Sequence, residues 1–162
     1  VDYSEKAISF AKVINPDVKF FIEDMRKTHF KAKYFDNIVC IETLEHIPDD
    51  NIDECLKEMH RLLKDDGLLI ITVPTKNLRL ISKHYRHYDK KDINKILNDN
   101  NFKIIDVKYY HSKYFDILQV INSNRFFELK FLNNFMGFMF ELFGRNTGSK
   151  SGQHMQIEAI KI

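Results

Sequence analysis

The sequence predicts one α/β domain in which helices alternate with the strands of a parallel sheet. Two apolar runs, residues 37–41 and 68–73, lack the alternation of a half-exposed strand, as expected for strands covered on both faces. The segment between them has the apolar spacing of a helix with one buried face, formed by Ile52, Leu56, Met59 and Leu63. Buried strands joined by amphipathic helices are typical of a parallel α/β sheet.

Caps, breaks and further apolar runs predict the remaining elements. Ser4 and Asp89 each precede a segment of helical periodicity and are expected to cap it. Gly67 is expected to end the central helix as its C′ residue. The further expected strands are residues 18–22, 102–110 and 155–162.

Length, charge and composition exclude several classes of protein. A chain of 162 residues suits one domain, and a net charge of +2 gives no global sign of a nucleic-acid partner. No run approaches the roughly 18 apolar residues of a membrane span, and no signal peptide opens the chain. Cys40 and Cys55 lie in apolar patterns, which indicates buried thiols in a reducing compartment. We therefore expect a cytoplasmic protein.

Acidic residues follow the ends of three predicted strands, where open parallel sheets bind ligands. They are Asp2, Asp24 and Glu42. A carboxylate there can accept two hydrogen bonds from a ribose diol, or one from an exocyclic amine, so the pattern favours a nucleoside-bearing cofactor. Helix capping is a serious alternative for Asp2 and a weaker one for Asp24.

The order of several segments resembles the class I S-adenosylmethionine-dependent methyltransferases, especially the branch that acts on small molecules, quinones and lipids. These segments are VDYSEKAISFAK, IEDM, FDNIVCIETLEHIPDD, LKEMHRLLKDDGLLIITVP and YRHYDKKDINKILNDNNFKI. The resemblance extends from Val1 to about Tyr110 and includes residues 155–162. It implies a Rossmann-like sheet whose final strand, residues 155–162, runs antiparallel between residues 68–73 and 102–110.

The resemblance also implies an activity, namely methyl transfer from S-adenosylmethionine to a small-molecule or lipid-like acceptor. Neither the family's first strand nor its glycine-rich loop is found, so we expect residues 1–162 to be a single N-terminally truncated domain. Two alternatives stay open. One is a non-catalytic remnant of such a domain, and the other is a nicotinamide-dependent reductase, whose Tyr-x-x-x-Lys spacing recurs at Tyr109 and Lys113.

Matching positions imply a cofactor site. In the family, an acid after the second strand holds the ribose, and Asp2 matches it, with Tyr3 beside it. An Asp after the third strand contacts the adenine amine and the next residue packs on the ring, which Asp24 and Met25 match.

The family's loop after the fourth strand runs along the methionyl part of the cofactor. Ile41, Glu42 and His46 match this loop. His46 is also a weak candidate for proton transfer, which methyl transfer requires only if the acceptor is a hydroxyl that must lose its proton. A structural bond to the helix backbone is the preferred interpretation of His46.

The loop after residues 68–73 contains candidate acceptor contacts at Tyr85, Arg86 and His87, although a solvated loop explains them equally well. His84 and His87 are spaced like metal ligands. No carboxylate or cysteine lies near that pair at a sequence spacing typical of metal ligands, so we expect no metal site.

A Phe-rich helical insertion is expected at about residues 113–146, since eight of the 14 phenylalanines lie between Phe115 and Phe143. Helices that are apolar on nearly all sides must be buried. A lid on the domain is favoured, followed by a homodimer face. A pocket or membrane-surface helix for a lipid-like acceptor is the third interpretation.

Overall fold

The structure, a computed structural model, describes residues 1–110 and 152–162. The elements in chain order are α1 (Glu5–Ile14), β1 (Phe35–Ile41), a 3-10 turn (Leu44–His46), α2 (Asp49–Leu62), β2 (Leu63–Pro74), α3 (Lys90–Asp99), β3 (Phe102–Tyr110) and β4 (His154–Lys161). The predicted Phe-rich insertion lies outside the described residues.

The four strands form one sheet in the order β1-β2-β4-β3. β1 is parallel to β2, whereas β4 is antiparallel to both of its neighbours, β2 and β3. The α/β prediction and the antiparallel insertion of the last strand are therefore confirmed.

Local sequence signals explain where the helices begin. The Ser4 hydroxyl accepts a hydrogen bond from the Ala7 amide at 3.3 Å, and Asp89 forms a capping box with Asp92. α2 begins after Pro48, and its predicted apolar face is buried at Ile52, Leu56 and Met59. Within the described residues, every helix is too short or too polar to cross a bilayer.

The prediction that Gly67 ends the central helix is wrong. α2 ends at Leu62, and Gly67 lies inside β2. A Cβ atom at Gly67 would lie 2.7 Å from the Asp36 carbonyl oxygen and 2.7 Å from Leu63 Cδ1. The glycine is therefore required by the close approach of β1 to β2, which a helix-based interpretation of the sequence did not anticipate.

The strand predicted at residues 18–22 is reduced to one bridge between Asp2 and Ile22. The Asp2 amide donates to the Phe21 carbonyl at 3.2 Å, and the Glu23 amide donates to the Asp2 carbonyl at 3.0 Å. The pairing stops there because α1 begins at Glu5, so the backbone that would continue the ladder turns into a helix.

The core surrounds β2 and β4, the two central strands. Fully buried side chains alternate along both strands and are Leu69, Ile71, Val73, Met155, Ile157 and Ala159. α2 and α3 add further apolar side chains to the same cluster. This arrangement holds the carboxyl end of β1 rigidly beside the site described below.

Candidate functional site

A cleft of about 820 Å³ lies beyond the carboxyl end of β1. Six of the seven predicted cofactor residues line it, namely Asp2, Tyr3, Asp24, Met25, Glu42 and His46. The seventh, Ile41, is not among the lining residues, and its side chain is 62% exposed. Side chains from three separate segments of sequence thus converge on one cavity.

Both acids on the N-terminal side of the cleft already have partners within the protein. Asp2 accepts a hydrogen bond from the Ser4 amide at 2.7 Å, but the residue that caps α1 is Ser4, so this contact is not the helix cap considered for Asp2. Asp24 accepts from the Arg26 guanidinium at 2.6 Å and from the Arg26 amide at 2.9 Å. The Arg26 side chain holds the pKa of Asp24 below its usual value, so this carboxylate is ionised at neutral pH.

Glu42 occupies an unusual position at the end of β1. Its φ of 45° is in the left-handed region, which non-glycine residues rarely adopt. The Glu42 amide donates to the Thr72 carbonyl at 3.0 Å, and one carboxylate oxygen lies 3.0 Å from His154 Nδ1. Burial opposes ionisation of Glu42, but the His154 and Thr72 hydrogen bonds outweigh it and keep its pKa below the usual value. The other oxygen, Oε1, is buried and has no hydrogen-bond partner in the part of the chain that the structure describes.

Glu45 and His46 follow on the 3-10 turn that continues from β1. Glu45 is 1% exposed, and its Oε2 atom is buried without a hydrogen-bond partner among the described residues. Burial raises the pKa of Glu45. His46 Nδ1 donates to the Lys83 carbonyl at 3.0 Å, and the His46 ring packs edge-on against His84 at 4.6 Å between centroids. His46 thus bonds to a backbone carbonyl of a loop and not, as predicted, to the backbone of a helix.

The predicted acceptor residues have divergent environments. Arg86 donates to the Ile47 carbonyl at 2.9 Å and forms an ion pair with Asp49. His87 is 8% exposed and donates through Nδ1 to the Leu78 carbonyl at 3.0 Å. Tyr85 is 61% exposed. Arg86 and His87 therefore hold the loop together, whereas Tyr85 presents its side chain to solvent.

Sequence reasoning missed several residues of the site. Lys83, Asn51 and Cys55 line the cleft, and His154 contacts Glu42. His154 reaches the site because β4 pairs beside β2, with His154 opposite Pro74. No local signal could have found it, since 112 positions separate Glu42 and His154 in the sequence.

Comparisons with known proteins agree with this fold. Residues 1–71 match the family described as a methyltransferase domain. The structure is similar to an S-adenosylmethionine-dependent methyltransferase from Archaeoglobus fulgidus, with a TM-score of 0.66 and 16% identity over 99% of this chain and 74% of that one. By sequence, no curated protein gives a significant match.

Two further structures show the range of chemistry found on this fold. A 1,6-didemethyltoxoflavin-N1-methyltransferase from Burkholderia thailandensis, with S-adenosylhomocysteine bound, has a TM-score of 0.57 and 16% identity. The match covers 97% of this chain and 56% of that one. The [4+2]-cyclase SpnF has a TM-score of 0.66 and 14% identity, covering 98% of this chain and 64% of that one.

These matches and the described architecture agree on the fold. The inserted antiparallel strand lies in a sheet like those of solved S-adenosylmethionine-dependent methyltransferases, and residues 1–71 resemble the methyltransferase-domain family.

Proposed function

We propose that this chain binds S-adenosylmethionine in the described cleft and transfers its methyl group to a small-molecule or lipid-like acceptor. One observation supports the proposal above all: six side chains expected from the family resemblance line a single cavity at the carboxyl end of the sheet. Open α/β sheets bind their ligands at this edge.

The residues present fit the cofactor. Asp2 is exposed on the cleft and can accept hydrogen bonds from a ribose diol, even though one of its oxygens already accepts from the Ser4 amide. Met25 is half-buried beside it and offers an apolar surface for a purine ring. Glu42 Oε1 is a buried acceptor without a partner, as expected of a group that meets a ligand's donor.

Asp24 fits its expected role less simply. Its carboxylate already holds the Arg26 guanidinium, so an adenine amine would share this acceptor with Arg26. A carboxylate has about four lone-pair sites, and Arg26 already makes four contacts to the two Asp24 oxygens, so an adenine amine would compete with Arg26. We therefore expect Asp24 to contribute less to cofactor affinity than Asp2.

The cofactor, when bound, supplies a methyl group on a sulfonium centre. The protein's part is to align an acceptor with that group and to exclude water. His46 lines the cleft and is the candidate base for an acceptor hydroxyl that must lose its proton. A small acceptor is favoured because the cleft suits one, and because the Burkholderia neighbour binds 1,6-didemethyltoxoflavin.

We also propose a cytoplasmic location for the protein. Cys40 and Cys55 are both free and buried, as expected of thiols in a reducing compartment. The non-catalytic remnant and the reductase remain the alternatives, and the SpnF cyclase shows that this fold also hosts other chemistry.

Isothermal titration with S-adenosylmethionine tests the proposal. Asp2→Ala should weaken binding roughly tenfold to hundredfold, because hydrogen bonds to a charged group contribute about 1.5–3 kcal/mol. Asp24→Asn should have a milder effect, since an amide oxygen can still accept from an amine.

Glu5→Ala is the matched control, because it removes a carboxylate from the same helix end that does not line the cleft. An unchanged dissociation constant in Asp2→Ala would remove Asp2 from the site. A folded protein that binds no S-adenosylmethionine would favour the non-catalytic remnant, and binding of a nicotinamide cofactor instead would favour the reductase.

A further inference from the structure

We propose that Glu45, His46 and His84 form a binding site for a divalent transition-metal ion. One ligand atom from each of the three side chains lies within 4.8 Å of the other two. Metal–ligand bonds to imidazole and carboxylate are about 2.0–2.2 Å long, so neighbouring ligand atoms of a tetrahedral site are about 3.4 Å apart. The side chains would therefore have to move inward by up to about 1.4 Å to hold an ion.

The hydrogen bonds of His84 prepare one of its ring nitrogens for a metal. His87 Nδ1 lies 3.0 Å from the Leu78 carbonyl, which can only accept, so in the neutral ring this nitrogen has the proton. His87 Nε2 then accepts from His84 Nδ1, which lies 2.8 Å away. The remaining nitrogen, His84 Nε2, is left with a free lone pair.

His46 is prepared in the same way. Its Nδ1 atom donates to the Lys83 carbonyl at 3.0 Å, so Nε2 has the lone pair. His46 Nε2 lies 3.9 Å from Glu45 Oε1, which is too long for a hydrogen bond. Histidine ligands of metals usually donate their second nitrogen to a carbonyl or a carboxylate, or to water. His46 meets that pattern through the Lys83 carbonyl, whereas His84 donates to the His87 ring.

Glu45 supplies an independent sign that a ligand belongs in this place. Its side chain is 1% exposed, and within residues 1–110 and 152–162 its Oε2 atom has no hydrogen-bond partner. A buried carboxylate without a partner is costly, and native proteins rarely leave one unless an ion or water meets it. A purely structural hydrogen-bond network would be expected to satisfy this oxygen.

The surrounding charges favour a cation. Glu42 interacts electrostatically with both Glu45 and His84, so a second carboxylate faces the same cluster. Two imidazoles and one carboxylate suit zinc, manganese, iron or cobalt better than magnesium or calcium, which prefer oxygen ligands. Because three protein ligands leave positions open and His46 lines the cleft, those positions would face the cavity.

Cobalt(II) titration of the chain without a polyhistidine tag, followed by visible absorption, tests the inference. We expect saturable binding of one ion per chain. Glu45→Gln and His84→Ala should each weaken it at least about tenfold, since even outer partners of metal ligands change affinity by that amount. The readout is metal binding alone, so it does not depend on methyl transfer.

His29→Ala is the matched control, because it removes a different imidazole that also pairs with a carboxylate, Glu23. It should change the cobalt affinity less than twofold. Circular dichroism verifies the fold of each variant, and His84→Ala decides if Glu45→Gln unfolds, because His84 is only partly buried.

Three results would overturn the inference. They are no saturable binding in the wild type, equal binding in Glu45→Gln and His84→Ala, or an equal loss in His29→Ala. Displacement of cobalt by equimolar magnesium would contradict the assigned class of metal.

Discussion

Residues 1–34 and the four-stranded sheet differ in how the fold holds them. α1 buries one residue, Ile8, whereas its Phe10 and Val13 are 69% and 78% exposed. In β2, by contrast, Leu69 and Ile71 are fully buried. Both regions line the cleft, so one of its walls belongs to the packed sheet and the other to residues 1–34, which bury few side chains.

Glu58 in α2 makes several of the contacts that join the two regions. Its Oε1 atom accepts from the Thr28 amide and the Thr28 hydroxyl, both at 2.8 Å. Arg61 pairs with Glu58 at 2.7 Å and also donates to the Phe30 carbonyl at 2.9 Å. The N-terminal wall of the cleft is thus attached through a charged network, together with Met25 against the core and the Phe30 ring against Phe35.

Truncation of a side chain should give the largest difference between the two regions, measured as the loss in free energy of unfolding. Leu69→Ala should lower the free energy of unfolding by about 2–5 kcal/mol, because a fully buried side chain leaves a cavity. Phe10→Ala, at an exposed position, should change it by less than about 0.5 kcal/mol. Urea denaturation measures both, and equal losses would contradict the contrast.

The second largest effect should come from acid, which should weaken the Glu58 contacts between α2 and residues 1–34. Hydrogen bonds from Arg61 and then from Thr28 lower the pKa of Glu58 from the ordinary 4.5 to about 2. A carboxyl group with a depressed pKa in the folded state stabilises the fold above about pH 4.5, and this contribution is lost as pH falls from 4.5 towards 2.

The expected loss is about 1–2 kcal/mol, because the partly exposed Arg61 weakens the pair through solvent screening. Unfolding measured between pH 6 and pH 3 should show this loss in the wild type but not in Glu58→Gln. Glu54→Gln, an exposed position on the same helix, should behave as the wild type. The idea fails if Glu58→Gln keeps the wild-type pH dependence.

Removal of a helix cap should give the smallest difference in stability between the two regions. Asp89 accepts from the Lys91 and Asp92 amides at 2.8 and 2.9 Å, whereas Ser4 accepts from Ala7 at 3.3 Å. Asp89→Ala should therefore cost about 1 kcal/mol and Ser4→Ala about 0.5 kcal/mol. Thermal unfolding measures the loss of stability in each variant. A larger loss in Ser4→Ala than in Asp89→Ala would contradict the expectation that Asp89 is the stronger cap.

Local patterns in the sequence determined much of the sheet. The runs at residues 37–41 and 68–73 predicted most of β1 and the second half of β2, because buried strands need continuous apolar sequence. The caps Ser4 and Asp89 marked two helix starts through hydrogen bonds to amides within three residues. The acids Asp2, Asp24 and Glu42 line one cleft, although only Glu42 follows a strand of the sheet.

Contacts between residues that are far apart in the sequence were decided by the tertiary structure alone. Gly67 is needed because Asp36 packs against it across two paired strands. His154 meets Glu42 because β4 inserts beside β2, and His84 meets Glu45 and His46 because its loop folds back over the 3-10 turn. In the sequence, the pair His84 and His87 lacked a carboxylate to complete it. The fold supplies Glu45 from 39 positions earlier, because strand pairing and core packing, not spacing along the chain, determine which side chains meet.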